Sequence, residues 1–312
     1  MAREEFYFKG REDINLKVYK WNPKSKVKAV IQIAHGMAET ALRYEEFAHV
    51  LNENGYRVYA NDHRGHGESC KKLEELGYLG EQDGFFSMIK DMNKLTSIIE
   101  EENKDLPIYL FGHSMGSFLS QRYIQLYGYR IQGLILSGTN GKQGSMVNLG
   151  ILIAKLEMIL KGRKHKSNLL NKLSFYRFNK SFKPNKTDFD WLSRDEKEVQ
   201  KYIKNPYCGT VFTTSFFYDF FRGLKSIWKE ENIKKIPKNL PIFIVAGSKD
   251  PVGNDGQGIE NLYNCYKLLG VKNIKYKLYK DGRHEILNEI NKKEVFRDII
   301  SWINKQHENI EV

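Results

Sequence analysis

Cysteine is scarce in this chain: Cys70, Cys208 and Cys265 are scattered through 312 residues. Their odd number and wide spacing supply neither a disulfide framework nor a metal-binding pattern, so a reducing cytoplasm is the expected compartment. Long apolar runs are missing as well. No stretch approaches the roughly 18–20 apolar residues of a membrane span. The charged opening Met1-Ala2-Arg3-Glu4-Glu5 is followed by no apolar core segment, so no secretory signal is expected. Internal repeats and low-complexity tracts are absent. Acids are nearly missing from one region. Lys142 to Lys186 carries eleven Lys/Arg against a single acid, Glu157, and holds most of the net charge of +12. A lysine-rich composition throughout explains part of this excess, while its local concentration points to something anionic nearby. Nucleic acid is not the expected partner, because nothing resembles a base-reading motif and charge alone supplies only non-specific affinity.

What is present is ample core material: 41% hydrophobic residues, with 18 Phe and 18 Tyr. The length suits one large α/β domain with an inserted subdomain, or two modest domains. Two short strands, Phe6–Phe8 and Asn15–Trp21, read as a hairpin. Buried strands follow at Lys28–Ala34, Tyr56–Asn61, Ile108–Gly112, Ile131–Ser137, Pro241–Ala246 and Ile274–Tyr279. Helical patterns at Glu45–Asn54, Phe86–Asn103, Ser117–Tyr127, Gly258–Leu269 and Glu294–Lys305 separate them. This alternation predicts an α/β fold with a mostly parallel central sheet flanked by helices. Residues 141–237 break the rhythm and read as a helical insertion, a cap, dividing a core made of 1–140 and 238–312. The cap opens with the apolar Met146–Leu160, which reads as a buried cap helix. The basic Lys161-Gly162-Arg163-Lys164-His165-Lys166 that follows also gives it the composition of a segment docking on anionic lipid. Later aromatics, from Phe175 to Phe221, suit either an apolar acyl site or the cap's own core.

The chain is organised around Gly112-His113-Ser114-Met115-Gly116, a G-x-S-x-G pentapeptide between a strand and a helix. In that setting the motif is a strained turn. Glycines on either side remove colliding side chains, and the serine is held outward as a nucleophile. The Met115 N–H then lies at a helix N-terminus, where an oxyanion would form. A base and an acid are expected downstream. Asp250, just past a buried strand and followed by Pro251, is the expected acid, with Asp255 and Asp281 as rivals. His284, on the loop after the last strand, is the expected base. The His35-Gly36 turn places the Met37 N–H as the second oxyanion donor, and His35 reads as a loop-holding residue. His63 and His66 have no supporting carboxylate or cysteine spacing, so no metal is expected. His113 reads as packing.

These residues resemble the α/β-hydrolase-fold serine hydrolases of the monoacylglycerol lipase and bacterial lysophospholipase group, sometimes described as serine aminopeptidase-like. The match is carried by His35-Gly36-Met37-Ala38-Glu39 with Arg43-Tyr44, Asp62-His63-Arg64-Gly65-His66-Gly67-Glu68-Ser69, the serine pentapeptide, Gly247-Ser248-Lys249-Asp250-Pro251-Val252, and Gly282-Arg283-His284. The resemblance implies a Ser114–Asp250–His284 triad, an oxyanion hole from the Met37 and Met115 N–H groups, a lipophilic cap, and no cofactor. Ser117 departs from the second glycine common in relatives. The expected substrates are esters of lipophilic acyl groups, monoacylglycerols or lysophospholipids, with peripheral contact to an anionic membrane through the basic cap. Two alternatives share the scaffold. An iminopeptidase-type enzyme would need acids in the cap to hold a substrate amine. A non-catalytic ligand-binding protein would usually lack part of the triad.

Overall fold

The computed structural model describes residues 3–311, with side chains through residue 308. Among the described residues eight strands form one sheet: β1 (Arg3–Lys9), β2 (Asn15–Trp21), β3 (Ala29–Ala34), β4 (Tyr56–Asn61), β5 (Ile108–His113), β6 (Gly133–Ser137), β7 (Ile242–Gly247) and β8 (Ile274–Tyr279). Their order is β1-β2-β4-β3-β5-β6-β7-β8. The β1–β2 and β2–β4 pairings are antiparallel, and the rest of the sheet is parallel. The strands β3, β5, β6 and β7 are buried along their whole length, as a parallel sheet covered on both faces requires.

Ten α-helices among the described residues accompany the sheet: α1 (Glu45–Glu53), α2 (Gly84–Glu102), α3 (Met115–Tyr127), α4 (Met146–Lys161), α5 (Asn168–Phe175), α6 (Glu196–Lys204), α7 (Thr214–Ile227), α8 (Glu230–Ile233), α9 (Gln257–Leu268) and α10 (Lys292–Glu311). Period-two alternation sorts the strand residues into two cores. Tyr109 and Phe111 of β5 pack with Phe47 of α1 and Trp302 of α10, while Leu110 joins Leu95 of α2 and Leu119 of α3 on the other face. The expected elements recur within a few residues at their ends. The helix read from Phe86 begins at Gly84, because Asp83 caps it by accepting the Phe86 N–H at 3.0 Å.

The order of strands matters for the site. From β3 the chain moves to β4 on one side, then crosses to β5 on the other. Reversal at that point opens a crevice beyond the carboxyl ends of β3 and β5, where ligands bind in open α/β sheets.

Between β6 and β7 the chain forms α4 to α8 and adds no strand to the sheet among the described residues. One expectation fails here. The apolar Met146–Leu160 segment is a helix, but not a buried one: only Ala154 and Glu157 of α4 are buried. Leu152, Leu156 and Ile159 are 53%, 50% and 67% exposed. The reason is geometric. A helix apolar on all sides buries only the side that meets a neighbour, and α4 has α7 along one side.

Candidate active site

Ser114 joins β5 to α3 with φ 51° and ψ −119°, a positive-φ backbone that costs on the order of 1–3 kcal/mol. Surrounding bonds hold it there. The Ser114 N–H donates to the Ser137 carbonyl at 2.9 Å, and its own carbonyl accepts the Ser117 N–H at 2.9 Å. The Ser117 hydroxyl, at the position departing from glycine, donates to that same carbonyl at 2.6 Å and so supports the turn. Both flanking glycines are sterically required. A Cβ on Gly116 would stand 2.0 Å from the Ala34 carbonyl oxygen, and one on Gly112 would stand 2.6 Å from that of Gly116.

His284 and Asp250 come together from the loops after β8 and β7. Their separation is 2.9 Å between Nδ1 and Oδ1, and both side chains are buried. The same Asp250 oxygen accepts the Val252 N–H at 2.9 Å, which fixes the carboxylate in the turn. Asp250, and neither Asp255 nor Asp281, is therefore the carboxylate that meets the imidazole. Burial alone would lower the His284 pKa, but the Asp250 charge and hydrogen bond outweigh it and hold it above the ordinary imidazole value. Gly138, with φ +56°, passes close behind: a Cβ there would meet His284 Cε1 at 2.9 Å. His113 packs against the His284 ring at 4.8 Å between centroids, with Nδ1 3.1 Å from the Ser137 hydroxyl. Burial, then the adjacent His284, pushes its pKa down to about 4, so it stays neutral.

Met37 follows β3 and, with Ser114 and His284, lines one cavity of about 540 Å³, a size that suits a small-molecule ligand. Aromatic side chains also line it: Phe175, Tyr176, Phe189, Trp191 and Tyr202. Met115 is buried at the first position of α3, where a helix leaves its N–H without an intrahelical acceptor. Among the described residues neither the Met37 nor the Met115 N–H donates to a backbone carbonyl outside regular helices and strands.

The other histidines do structural work. His35 Nε2 accepts the His63 N–H at 2.9 Å, tying the loop after β3 to the loop after β4. The His35 ring packs on His63 and His66, with centroids 4.4 and 5.1 Å away. Burial keeps all three neutral, with His35 lowered to about 4 and His66 to about 3. Among the described residues no group of three or more His, Cys, Asp or Glu is arranged to hold a metal ion.

Two features were not readable as site features from the sequence. One is an ionic clamp. Arg43 donates from Nη1 and Nη2 to the two Glu285 oxygens at 2.5 and 2.6 Å, and from Nη1 to Glu39 at 2.8 Å. Glu39 in turn accepts the Gly36 N–H at 2.6 Å and the Tyr44 hydroxyl at 2.8 Å. One guanidinium thus joins the turn before Met37 to the residue after His284. The sequence signals were the i, i+4 spacing of Glu39 and Arg43 and their place in the motif that carries the family resemblance, and neither pointed to Glu285. The other is Trp191, whose ring lies 4.9 Å from that of His284 and whose carbonyl accepts the His284 N–H at 3.3 Å. No local pattern marks it among so many aromatics.

Comparison with known proteins places this geometry. Residues 25–291 match the family described as serine aminopeptidase, S33. A monoacylglycerol lipase of Mycolicibacterium smegmatis is 28% identical over 307 residues, which is 97% of each chain. A probable lysophospholipase L2 of Haemophilus influenzae is 26% identical over 319 residues, covering 96% of this chain and 90% of that one. Among solved structures, a highly thermostable carboxyl esterase from Bacillus coagulans, in complex with glycerol, superposes with a TM-score of 0.89. It is 31% identical, with 98% of this chain and 99% of that one covered. With the family match spanning most of the sequence and the fold shared end to end with an esterase, this chain belongs to the serine aminopeptidase S33 family of α/β-hydrolase-fold proteins.

Proposed function

We propose that this chain is a serine hydrolase that cleaves carboxylic esters of lipophilic acyl groups, with Ser114, His284 and Asp250 as its triad. The observation that carries the reading is the buried His284–Asp250 pair beside an aromatic cavity that Ser114 and Met37 also line. His284 takes the Ser114 proton as the hydroxyl attacks the ester carbonyl, and Asp250 holds the imidazole tautomer and stabilises its charged form. The Met37 and Met115 N–H groups receive the tetrahedral oxyanion, each lowering the barrier by about 3 kcal/mol. His284 then protonates the departing alcohol. Water, deprotonated by the same imidazole, releases the acid and regenerates the serine.

Residues 1–140 and 238–312 serve as the hydrolase core, and 141–237 as a cap over the site. The cap supplies the aromatic wall to which an acyl chain is suited. A peptidase reading, suggested by the family description, has little to hold a substrate ammonium. Of the cavity's carboxylates among the described residues, Glu39 and Glu285 are held by Arg43, leaving Asp188. Octanoyl and longer p-nitrophenyl esters are expected to be cleaved with kcat/KM at least about 100-fold above aminoacyl-p-nitroanilides, a loss of more than ~2.7 kcal/mol of transition-state binding. A fluorophosphonate probe is expected to label Ser114. Faster anilide turnover would assign the peptidase activity instead, and absence of labelling would fit a non-catalytic binder.

The cap also suits contact with an anionic membrane from a cytoplasmic position. On α4 the exposed Leu149, Leu152, Leu156 and Ile159 recur every three or four residues, and Leu169 and Leu173 of α5 are exposed nearby in sequence. Lys155, Lys161 and Lys164 supply positive charge beside them. Leu152→Glu with Leu156→Glu is expected to weaken sedimentation with phosphatidylglycerol vesicles by about tenfold or more. Hydrolysis of dispersed p-nitrophenyl butyrate should persist. Equal sedimentation of both proteins would remove the docking assignment.

A further inference from the structure

In the proposed reaction His284 must keep Nδ1 on Asp250 and take up a positive charge, and one residue between β6 and β7 is placed to serve both needs. The Trp191 ring lies 4.9 Å from that of His284 between centroids, with 33° between the planes. That separation is within the roughly 6 Å over which an aromatic face attracts a cation, and tryptophan offers the strongest such face. The indole is itself fixed. Phe178 and Phe175 pack against it with centroids 5.0 and 6.1 Å away, and Trp191 is buried. Its backbone N–H donates to Asn179 Oδ1 at 2.9 Å. The chain on either side is sewn to the histidine loop. The His284 and Glu285 N–H groups donate to the Trp191 and Leu192 carbonyls at 3.3 and 2.7 Å. Arg283 Nη1 donates to the Ser193 carbonyl at 3.1 Å. Buried Glu289 accepts the backbone N–H groups of Arg194 and Arg283 at 3.1 and 2.9 Å. Distant in sequence, Trp191 and His284 form one bonded unit.

We infer that Trp191 is a positioning residue of the hydrolase: its indole holds the His284 imidazole against Asp250 and faces the positive charge that the imidazole takes up with the Ser114 proton. The inference rests on the ester-hydrolase reading and adds to it a residue outside the triad. Trp191 transfers no proton and forms no bond to the substrate. A ring packed on the imidazole limits its rotation, and misplacing a reacting group by about 1 Å costs on the order of 100-fold in rate. The π face also lowers the energy of the imidazolium relative to the neutral ring. The other charges acting on His284 are negative: Asp250 first, then Glu285 and Glu39, both bonded to Arg43. His113, also packed on the ring, is neutral.

Trp191 lines the cavity as well, so holding the base has to be separated from touching the acyl chain. Trp191→Leu is expected to lower kcat for p-nitrophenyl butyrate by about 30-fold with KM within about threefold of wild type, because a short chain needs little wall while every ester needs the base. Trp191→Phe keeps a ring and should hold kcat within about fivefold. Losing the indole also admits water, so the charge is tested in protein of unchanged sequence made with tryptophan bearing one, two or three ring fluorines, which draw electron density from the π face. Among the described residues Trp21, Trp228 and Trp302 pack on rings other than that of His284. The ascending limb of kcat/KM against pH is expected to move lower with each fluorine, by about half a pH unit in all. An unmoved limb overturns the inference. So does a leucine variant that keeps kcat and raises only KM, more for octanoate than for butyrate, which makes Trp191 a wall of the acyl site. Equal losses of kcat in the leucine and phenylalanine variants overturn it too, and each of these results leaves the hydrolase reading standing. Should the leucine variant fail to fold, the phenylalanine variant and the fluorine series decide. Failure of the wild type to cleave either ester takes down both readings.

Discussion

Ser114→Ala is expected to lower kcat for a p-nitrophenyl ester by about 10⁶-fold, and Asp250→Asn by about 10⁴-fold, with little change in Tm for the serine variant. The two differ in cause. Removing the Ser114 hydroxyl removes the nucleophile, and what remains is binding and oxyanion stabilisation. An asparagine in place of Asp250 would keep the shape but not the charge, and its amide could present a donor to Nδ1, favouring the wrong tautomer of His284. The pH profile separates these effects. Burial opposes the charged imidazole, yet Asp250 overrides it and holds the His284 pKa above about 6.5, its ordinary value. Only the neutral imidazole accepts the serine proton. Wild-type kcat/KM should therefore rise with pH through a pKa above that value, and the ascending limb should move lower in Asp250→Asn. A serine variant with full turnover, or an unmoved limb in the aspartate variant, would contradict the assigned roles.

The second large effect concerns Arg43, which touches no reacting atom in the proposed mechanism. Arg43→Leu would strand Glu39 and Glu285 in a buried setting, and breaking such a pair costs about 3–5 kcal/mol. A fall in Tm of roughly 10 °C is expected at neutral pH. The sign of the pH dependence identifies the cause. Desolvation would raise Glu285, but Arg43 holds it down to about 2. The wild-type contribution is thus fully present above the unfolded carboxylate value near 4.5, and is lost as pH falls from there through about 2. Without Arg43 the buried carboxylate favours its proton, so the stability gap between variant and wild type should narrow as pH falls from 7 toward 4. Activity should fall by about 100-fold, since Glu39 holds the Gly36 N–H next to Met37 and small displacements in such a turn are costly. Arg43→Lys should recover part of the stability but less of the activity, because an ammonium lacks the two-pronged geometry seen with Glu285. A gap in Tm that is constant with pH would show that packing, and not charge, is the function of Arg43.

The residues behind these predictions were unequally legible in the sequence. The turn at Ser114 announces itself locally: the glycines at 112 and 116 are needed within a few ångströms of the serine, so the pattern and the structure are the same fact. Strand and helix periodicity likewise acts over short range, which is why β4 and β8 have the expected limits. The clamp is different. Arg43 and Glu285 lie 242 residues apart, and nothing near either one names the other. The α4 helix marks a third limit. Its composition announces apolar character without saying which side another helix will cover.

The order serine, aspartate, histidine, each past a strand of an alternating α/β pattern, was determined by the sequence alone, because local turn chemistry and periodicity dictate where such residues can stand. What only the tertiary structure decided was their company: Arg43 joining two loops, and Trp191 on the His284 ring. Those associations come from the crossing of β3, β4 and β5 and from the path of the segment between β6 and β7. Packing brings together side chains that share no local pattern, so no stretch of sequence read by itself announces them.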